Sequence, residues 1–305
     1  MCSLFHASTK RTSSLASYNS HKLAKVMPEA TFLLFITTIA ILMSSSSALT
    51  VLVVGATGAT GKHVVAQLLQ KHHNVRTIVR SKDRLLSSLG DILAKDMDHY
   101  ASQLQITEAA ILDLSDEDLQ KQVEGCDAIV QTLGHNLTFK GIYFPPRKLV
   151  TESIQRLTKA AEAAKSTDGK KMKIILMGSD GVSHPDKSTD DKRVFKERLI
   201  LSIIRALVPP HRDNEAAANY IYADVGTDKS FEWTVVRPTD LVDAEKATKY
   251  VTYEKPKGGL FGGEFVSRVN VAQLMVDLLT SDDLWKTWAY KMPVVHNAEE
   301  AVASE

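Results

Sequence analysis

Val51-Leu52-Val53-Val54-Gly55-Ala56-Thr57-Gly58-Ala59-Thr60-Gly61-Lys62 is the stretch that decides the fold. An apolar, β-branched run ends in glycines at every third position, and a helical pattern starts at the last of them. Gly55 allows a tight turn out of the strand, Gly58 lets the backbone approach a diphosphate, and Gly61 lets the helix pack on the sheet. Thr57, Ala59 and Thr60 complete a turn that places an anion at the helix N-terminus, where free N–H groups and the dipole favour negative charge. A glycine-rich turn without a ligand is the alternative. The buried strand before it and the amphipathic helix after it favour dinucleotide binding.

Outward from this turn, short β-branched runs alternate with longer helical patterns, which predicts a parallel sheet covered by helices on both faces. Strands are predicted at Thr50–Val54, Asn74–Val79, Ala109–Leu112, Ala128–Thr132, Lys173–Met177 and Trp233–Val236. Helices are predicted at Gly61–Gln70, Asp116–Val123, Arg147–Ala164, Asp191–Leu207 and Asn214–Asp224. Right-handed crossovers make this a doubly wound sheet. The chain from Lys249, with Gly258-Gly259, Gly262-Gly263 and a helix near Val271–Leu279, is expected to form a smaller substrate-side lobe.

The second strand ends at Val79-Arg80, where an NAD enzyme would carry an acid for the ribose 2′-hydroxyl. A guanidinium at Arg80 instead suits a 2′-phosphate, with Arg84 a second cation one turn on. The expected cofactor is therefore NADP; a merely solvated Arg80 is the alternative.

Hydrophobic residues make up 44% of the 305 and charged residues 24%, enough apolar content for a real core. The net charge of +1 comes from the first segment, since without Lys10, Arg11, Lys22, Lys25 and Glu29 the remainder is slightly acidic. Nucleic acid, which needs a concentrated basic face, is thus not expected as a partner. Two cysteines, Cys2 and Cys126, exclude a disulfide framework, and the ten scattered histidines suggest no metal site.

Residues 1–49 read as a signal or transit peptide ahead of a domain over 50–305. The apolar run Thr31–Met43 is shorter than the roughly 20 residues of a bilayer span, and Ser46-Ser47-Ala48 suits cleavage. A buried helix of the mature fold is the alternative, and Met27 is a second possible start. The mature chain is expected to have no integral membrane span. The expected destination is an organelle, plastid or mitochondrion, because NADPH is scarce outside cells; the secretory lumen is the alternative, where Asn136-Leu137-Thr138 would accept a glycan.

With Val79-Arg80-Ser81-Lys82-Asp83-Arg84-Leu85, Leu112-Asp113, Gln131-Thr132-Leu133-Gly134, Gly178-Ser179, Trp233-Thr234-Val235-Val236-Arg237-Pro238 and Ser267-Arg268-Val269-Asn270-Val271-Ala272, the chain resembles the atypical short-chain dehydrogenase/reductases. Within them it is most similar to the NmrA-like and biliverdin-reductase-B/flavin-reductase-like proteins, over about residues 50–296. The resemblance implies an α/β fold of Rossmann type, a doubly wound parallel sheet with a small C-terminal substrate-side lobe. It places Asp113 and Leu114 beside the adenine, and Thr132, Leu133 and Gly134 along the nicotinamide ribose. Ser179 would face the nicotinamide, and Pro238 would cover its ring.

Orthodox members use a Tyr with a Lys four residues on, located on the helix after the fifth strand. Here Tyr220 and Tyr222 are followed four residues on by Asp224 and Gly226, and Tyr253 with Lys257 lies after the sixth strand. The pair is absent. One reading is an NADPH-dependent reductase of a quinone, flavin or conjugated carbonyl, in which Ser179 orients the acceptor and the proton comes from solvent. His211, Arg212, Asp213 and Asn214 would line its pocket, or Asp213 or Asn214 would cap a helix. The other reading is a non-catalytic NADP(H)-binding redox sensor or organellar assembly factor. The apolar run Leu199–Ile204 is expected in the core, with a partner surface as the alternative.

Overall fold

The computed structural model describes residues 48–93, 97–135, 144–164, 169–186, 189–191, 194–257 and 263–298. Strand β1 (Thr50–Val54) pairs in parallel with β2 (Asn74–Val79) on one side and β4 (Ala128–Gln131) on the other. Val51, Leu52, Val53 and Val54 are all buried, as a parallel strand covered on both faces requires. The full order is β3-β2-β1-β4-β5-β6-β10-β8, adding β3 (Leu104–Glu108), β5 (Met172–Met177), β6 (Phe231–Pro238), β8 (Tyr250–Tyr253) and β10 (Val294–Asn297). Only β8 runs antiparallel to its neighbour. The order reverses between β1 and β4, so a crevice opens at their carboxyl ends.

Alternate residues of β1 feed two cores, because side chains switch faces at every residue. Val51 and Val53 pack with Val64 and Leu68 of α1 (Gly61–Gln70) and with Leu85 and Leu89 of α2 (Lys82–Leu93). After the short α3 (Met97–Tyr100), Leu52 and Val54 face the other core. There they meet Leu119 of α4 (Asp116–Val123), Ile154 and Leu157 of α5 (Leu149–Ala163), and Ala217 beyond. All of this lies in a compact unit from Ala48 onward, with both cores inside it.

Several sequence expectations need correction. The strand placed at Ala109–Leu112 is a turn; β3 is Leu104–Glu108, whose alternating Leu-Gln-Ile-Thr-Glu is that of a half-exposed edge strand. α2 was not anticipated, although Leu85, Leu89 and Leu93 recur at helical spacing and are buried. The helix expected from Asp191 starts at Phe195 as α6 (Phe195–Leu207). That expected at Asn214–Asp224 starts at Pro209 as α7 (Pro209–Asn219), with proline in its first turn, and continues as a π-helical turn over Tyr220–Val225. The run Leu199–Ile204 is not all core: Leu201 is buried, but Leu199 and Ile203 are half exposed.

The C-terminal part does two things. β8 and β10 extend the main sheet, while β7 (Asp240–Val242) and β9 (Phe265–Ser267) form a separate parallel pair. Ser267 Oγ then caps α8 (Arg268–Thr280) by accepting from Asn270 N–H, and α9 (Asp282–Trp288) follows. The apolar run Thr31–Met43, the sequon Asn136-Leu137-Thr138, and Gly258-Gly259 with Gly262 lie outside the described residues. Among the described residues no helix is long and apolar enough to cross a membrane.

Candidate functional site

At the crevice, Gly55 leaves β1 with φ +89°, in the left-handed region that favours glycine. A methyl group built on it would lie 2.7 Å from the Thr132 carbonyl carbon, so the ends of β1 and β4 touch here. One built on Gly61 would lie 2.2 Å from Gly55 O and 2.6 Å from Thr132 Oγ1. One on Gly58 would lie 3.0 Å from Gly55 O. Gly58 is thus needed by the protein's own turn, closed by its N–H on Gly55 O at 2.9 Å, as well as by any approaching diphosphate. Thr132 fixes the junction, donating from N–H and Oγ1 to Val54 O at 2.8 and 3.1 Å.

Ala59 is exposed, and the amides of Ala59, Thr60 and Gly61 meet no acceptor among the described residues. Donors without acceptors at the start of α1 fit a dinucleotide diphosphate. Thr57 and Gly58 are half-buried on the same turn. Leu133 is half-buried and Gly134 exposed beyond Thr132, continuing the crevice along β4.

On its other side the crevice is flanked by β2. Arg80 and Arg84 are both exposed, and Ser81 Oγ caps α2 by accepting from Arg84 N–H at 3.2 Å. The sequence reading missed Glu108. Val79 pairs with Glu108 across the sheet, and Glu108 Oε1 accepts from Lys82 N–H at 3.2 Å. A carboxylate therefore shares this corner with Arg80. Asp113 is exposed and Leu114 half-buried in the turn after β3, where Arg156 of α5 donates to the carbonyls of Ile111 and Leu114.

The other end is built by β5 and β6. Ser179 follows β5 in a tight turn, its Oγ accepting from Gly181 N–H at 3.2 Å. Asp180 N–H donates to Pro238 O at 3.0 Å, which holds Ser179 beside the buried end of β6. A methyl group on Gly181 would lie 3.5 Å from Ser179 Oγ and 3.4 Å from His211 Cε1. Of the cluster after Pro210, His211 thus packs beside Ser179 at Gly181. Its Nε2 lies 3.4 Å from Glu215 Oε1, outside hydrogen-bond alignment. Burial pushes the Glu215 carboxyl up, but His211 and the forked Arg205 outweigh it and bring it to about 2.

Asp213 does something the sequence did not disclose: it caps a helix other than its own. Buried on α7, its carboxylate accepts from Val150 N–H at 2.7 Å, and from Thr151 N–H and Oγ1 at 3.0 and 2.6 Å, at the start of α5. His135, just past Gly134, is 2.7 Å from the same carboxylate. A third tie is Arg237, fully buried, with Nη1 2.8 Å from Asp190 and Nε donating to Met292 O. It links the loop after Ser179 to the strands beyond β6.

Tyr220 is placed at the far end of β6, whereas Tyr222 touches the loop that follows Ser179. Tyr220 OH is 2.9 Å from Thr158 Oγ1, and Tyr220 lines a recess with Phe231, the first residue of β6. β6 spans eight residues from Phe231 to Pro238, which sets its two ends roughly 23 Å apart. The Tyr222 ring stacks edge-on with His184 and Trp233.

Fold and crevice define a dinucleotide-binding α/β protein. A family model for NAD(P)H-binding proteins matches residues 55–282, most of the chain, and the protein belongs to that family. No curated protein matches. Among solved structures it is similar to the anaerobilin reductase ChuY of Escherichia coli (16% identity, TM-score 0.55, covering 83% of this chain and 100% of that one). It is similar also to a candidate NADH-flavin reductase of Streptococcus pneumoniae (18%, 0.54, 82% and 100%). A candidate NAD-dependent epimerase/dehydratase of Bacillus halodurans is a further match (19%, 0.54, 82% and 95%). At these identities the likeness is one of fold.

Proposed function

We propose that the protein is an NADPH-dependent reductase of a flat, conjugated acceptor: a quinone, a flavin or a conjugated carbonyl. The observation that carries this is the meeting of Ser179 and His211 at Gly181 after β5, where Asp180 N–H donates to Pro238 O and so holds Ser179 at the carboxyl ends of β5 and β6. Similarity to flavin- and bilin-reducing folds supports it. Bound NADPH supplies the hydride. Ser179 orients the acceptor by hydrogen bonding, and an acceptor that delocalises the added charge takes its proton from solvent. We further propose that the chain works in an organelle after removal of the first segment. The test is NADPH oxidation by the chain from Ala48 with a quinone and flavin panel. Binding without turnover on any acceptor would move the protein to the redox-sensor or assembly-factor reading.

Two predictions arise here. NADPH is expected to bind at least about tenfold more tightly than NADH, or about 1.4 kcal/mol. Arg80→Asp should erase that preference, and Glu108→Gln should widen it by removing the carboxylate that repels a 2′-phosphate. Titration by nucleotide fluorescence checks both, and equal affinities in the unaltered protein would remove the NADP assignment. The second concerns rate. Ser179→Ala should lower kcat/KM on the panel more than Tyr220→Phe or Tyr222→Phe, each of which should cost less than about tenfold. Loss of a general acid costs on the order of a hundredfold or more, so a collapse in Tyr220→Phe would overturn this mechanism.

A further inference from the structure

Helix α6 is apolar on two sides. Leu201 is buried against the fold, while Phe195 (76% exposed), Leu199 (53%), Ile203 (50%) and Leu207 (60%) face water. At 3.6 residues per turn these four, each one turn from the last, fall within an arc of about 120° opposite Leu201. A helix apolar all round is normally covered all round, and contiguous exposed apolar patches mark contact sites.

What covers the outer side follows from charge and area. The exposed Lys196 and Arg198 lie on the same helix, and neither meets a carboxylate among the described residues. Glu197 is turned inward, half-buried and engaged. A second copy pairing in parallel through this face would bring like charges together, and one pairing antiparallel would set Lys196 and Arg198 against the apolar end at Leu207. A single helix about 20 Å long would also bury far less than the roughly 1,200 Å² of a stable interface. Lysine is depleted from protein interfaces. A flat anionic surface meets neither objection, and Phe and Leu beside basic residues is the make-up of interfacial helices.

We propose that α6 docks the protein on an anionic lipid surface, its four apolar side chains entering the headgroup boundary and Lys196 and Arg198 meeting lipid phosphates. This does not depend on the reductase reading. The chain from Ala48 contains both cores and excludes the apolar run Thr31–Met43. It should co-sediment with phosphatidylcholine vesicles holding roughly a third phosphatidylserine. Binding should fall when salt is raised or phosphatidylserine is left out. Leu199→Glu with Ile203→Glu should lower the bound fraction at least about tenfold with the circular dichroism unchanged. Lys196→Glu with Arg198→Glu, which leaves the apolar stripe intact, should remove the preference for phosphatidylserine. Equal retention of wild type and both variants would overturn the proposal. So would a concentration-dependent dimer in sedimentation that the Leu199→Glu, Ile203→Glu chain loses, since the face would then belong to a second copy.

Discussion

Gly61→Ala is expected to abolish nicotinamide dinucleotide binding, the largest effect of any single methyl group in this protein. The added carbon would lie 2.2 Å from Gly55 O and 2.6 Å from Thr132 Oγ1. Gly55 O is backbone in the turn proposed to receive the diphosphate, so it cannot swing aside as a flexible side-chain end can. Either α1 retreats from the sheet or the turn deforms, and both misplace the free amides of Ala59 and Thr60. Overpacking of this kind costs about 1–3 kcal/mol of stability. The effect on binding should be larger, at least about a hundredfold, because the damaged element is the site itself. Gly90→Ala is the control: within α2 a methyl group there meets nothing within 4 Å. That change should leave binding unaltered and raise stability by about 0.5–1 kcal/mol. Isothermal titration and thermal unfolding of both variants decide it. Gly61→Ala chains that bind like wild type would show that the turn is not where the dinucleotide lies.

The parts of this fold that sequence discloses are those where a local pattern has one physical cause. β1, β2 and α1 match residue for residue: β1 is an apolar run, the glycine turn marks its end and the start of α1, and β2 carries the β-branched Val75, Thr77, Ile78 and Val79. β3 was displaced by several residues because an edge strand alternates, and the apolar cluster after it drew the assignment. β7 to β10 were not anticipated: they are short, and their pairing is set by partners distant in sequence, such as Asp240 with Phe265 and Val294 with Tyr253. The glycine turn and Thr132 were legible as one site. Glu108 was not, because its role depends on lateral registry with Val79 and not on sequence spacing. His211 beside Ser179 was anticipated as part of a four-residue cluster; the fold brings His211 to Ser179 at Gly181 across 32 positions and turns Asp213 to α5 instead.

Asp213→Ala is expected to be among the most destabilising substitutions in the chain. The side chain is almost fully buried, and it accepts from two amides and a hydroxyl at the start of α5 while holding His135. Removal leaves the two amides and His135 buried without this acceptor, while Thr151 Oγ1 keeps the Asp213 carbonyl, a loss of about 3–5 kcal/mol by comparison with other broken buried networks. At a few degrees per kcal/mol, the melting temperature should drop by roughly 10 °C. The dependence on pH carries a sign. Burial pushes the Asp213 carboxyl up, but hydrogen bonds from His135, Thr151 and the Val150 and Thr151 amides outweigh it, and it lies below its usual value. A carboxyl depressed by folding stabilises fully above its unfolded pKa, near 4, and loses that contribution as pH falls through the lower folded value. The gap between wild type and Asp213→Ala should therefore narrow as pH falls below about 4, by the share that the carboxylate's charge contributes. Asp213→Asn should fall between the two, since its amide keeps one acceptor but turns a donor toward donors. Because Asp213 reaches both His135, beside Gly134, and α7, which carries His211, its loss should also weaken dinucleotide binding at temperatures where the variant remains folded. A variant that melts within 2 °C of wild type, or a gap that persists unchanged at pH 3, would show that this carboxylate does not organise the crevice.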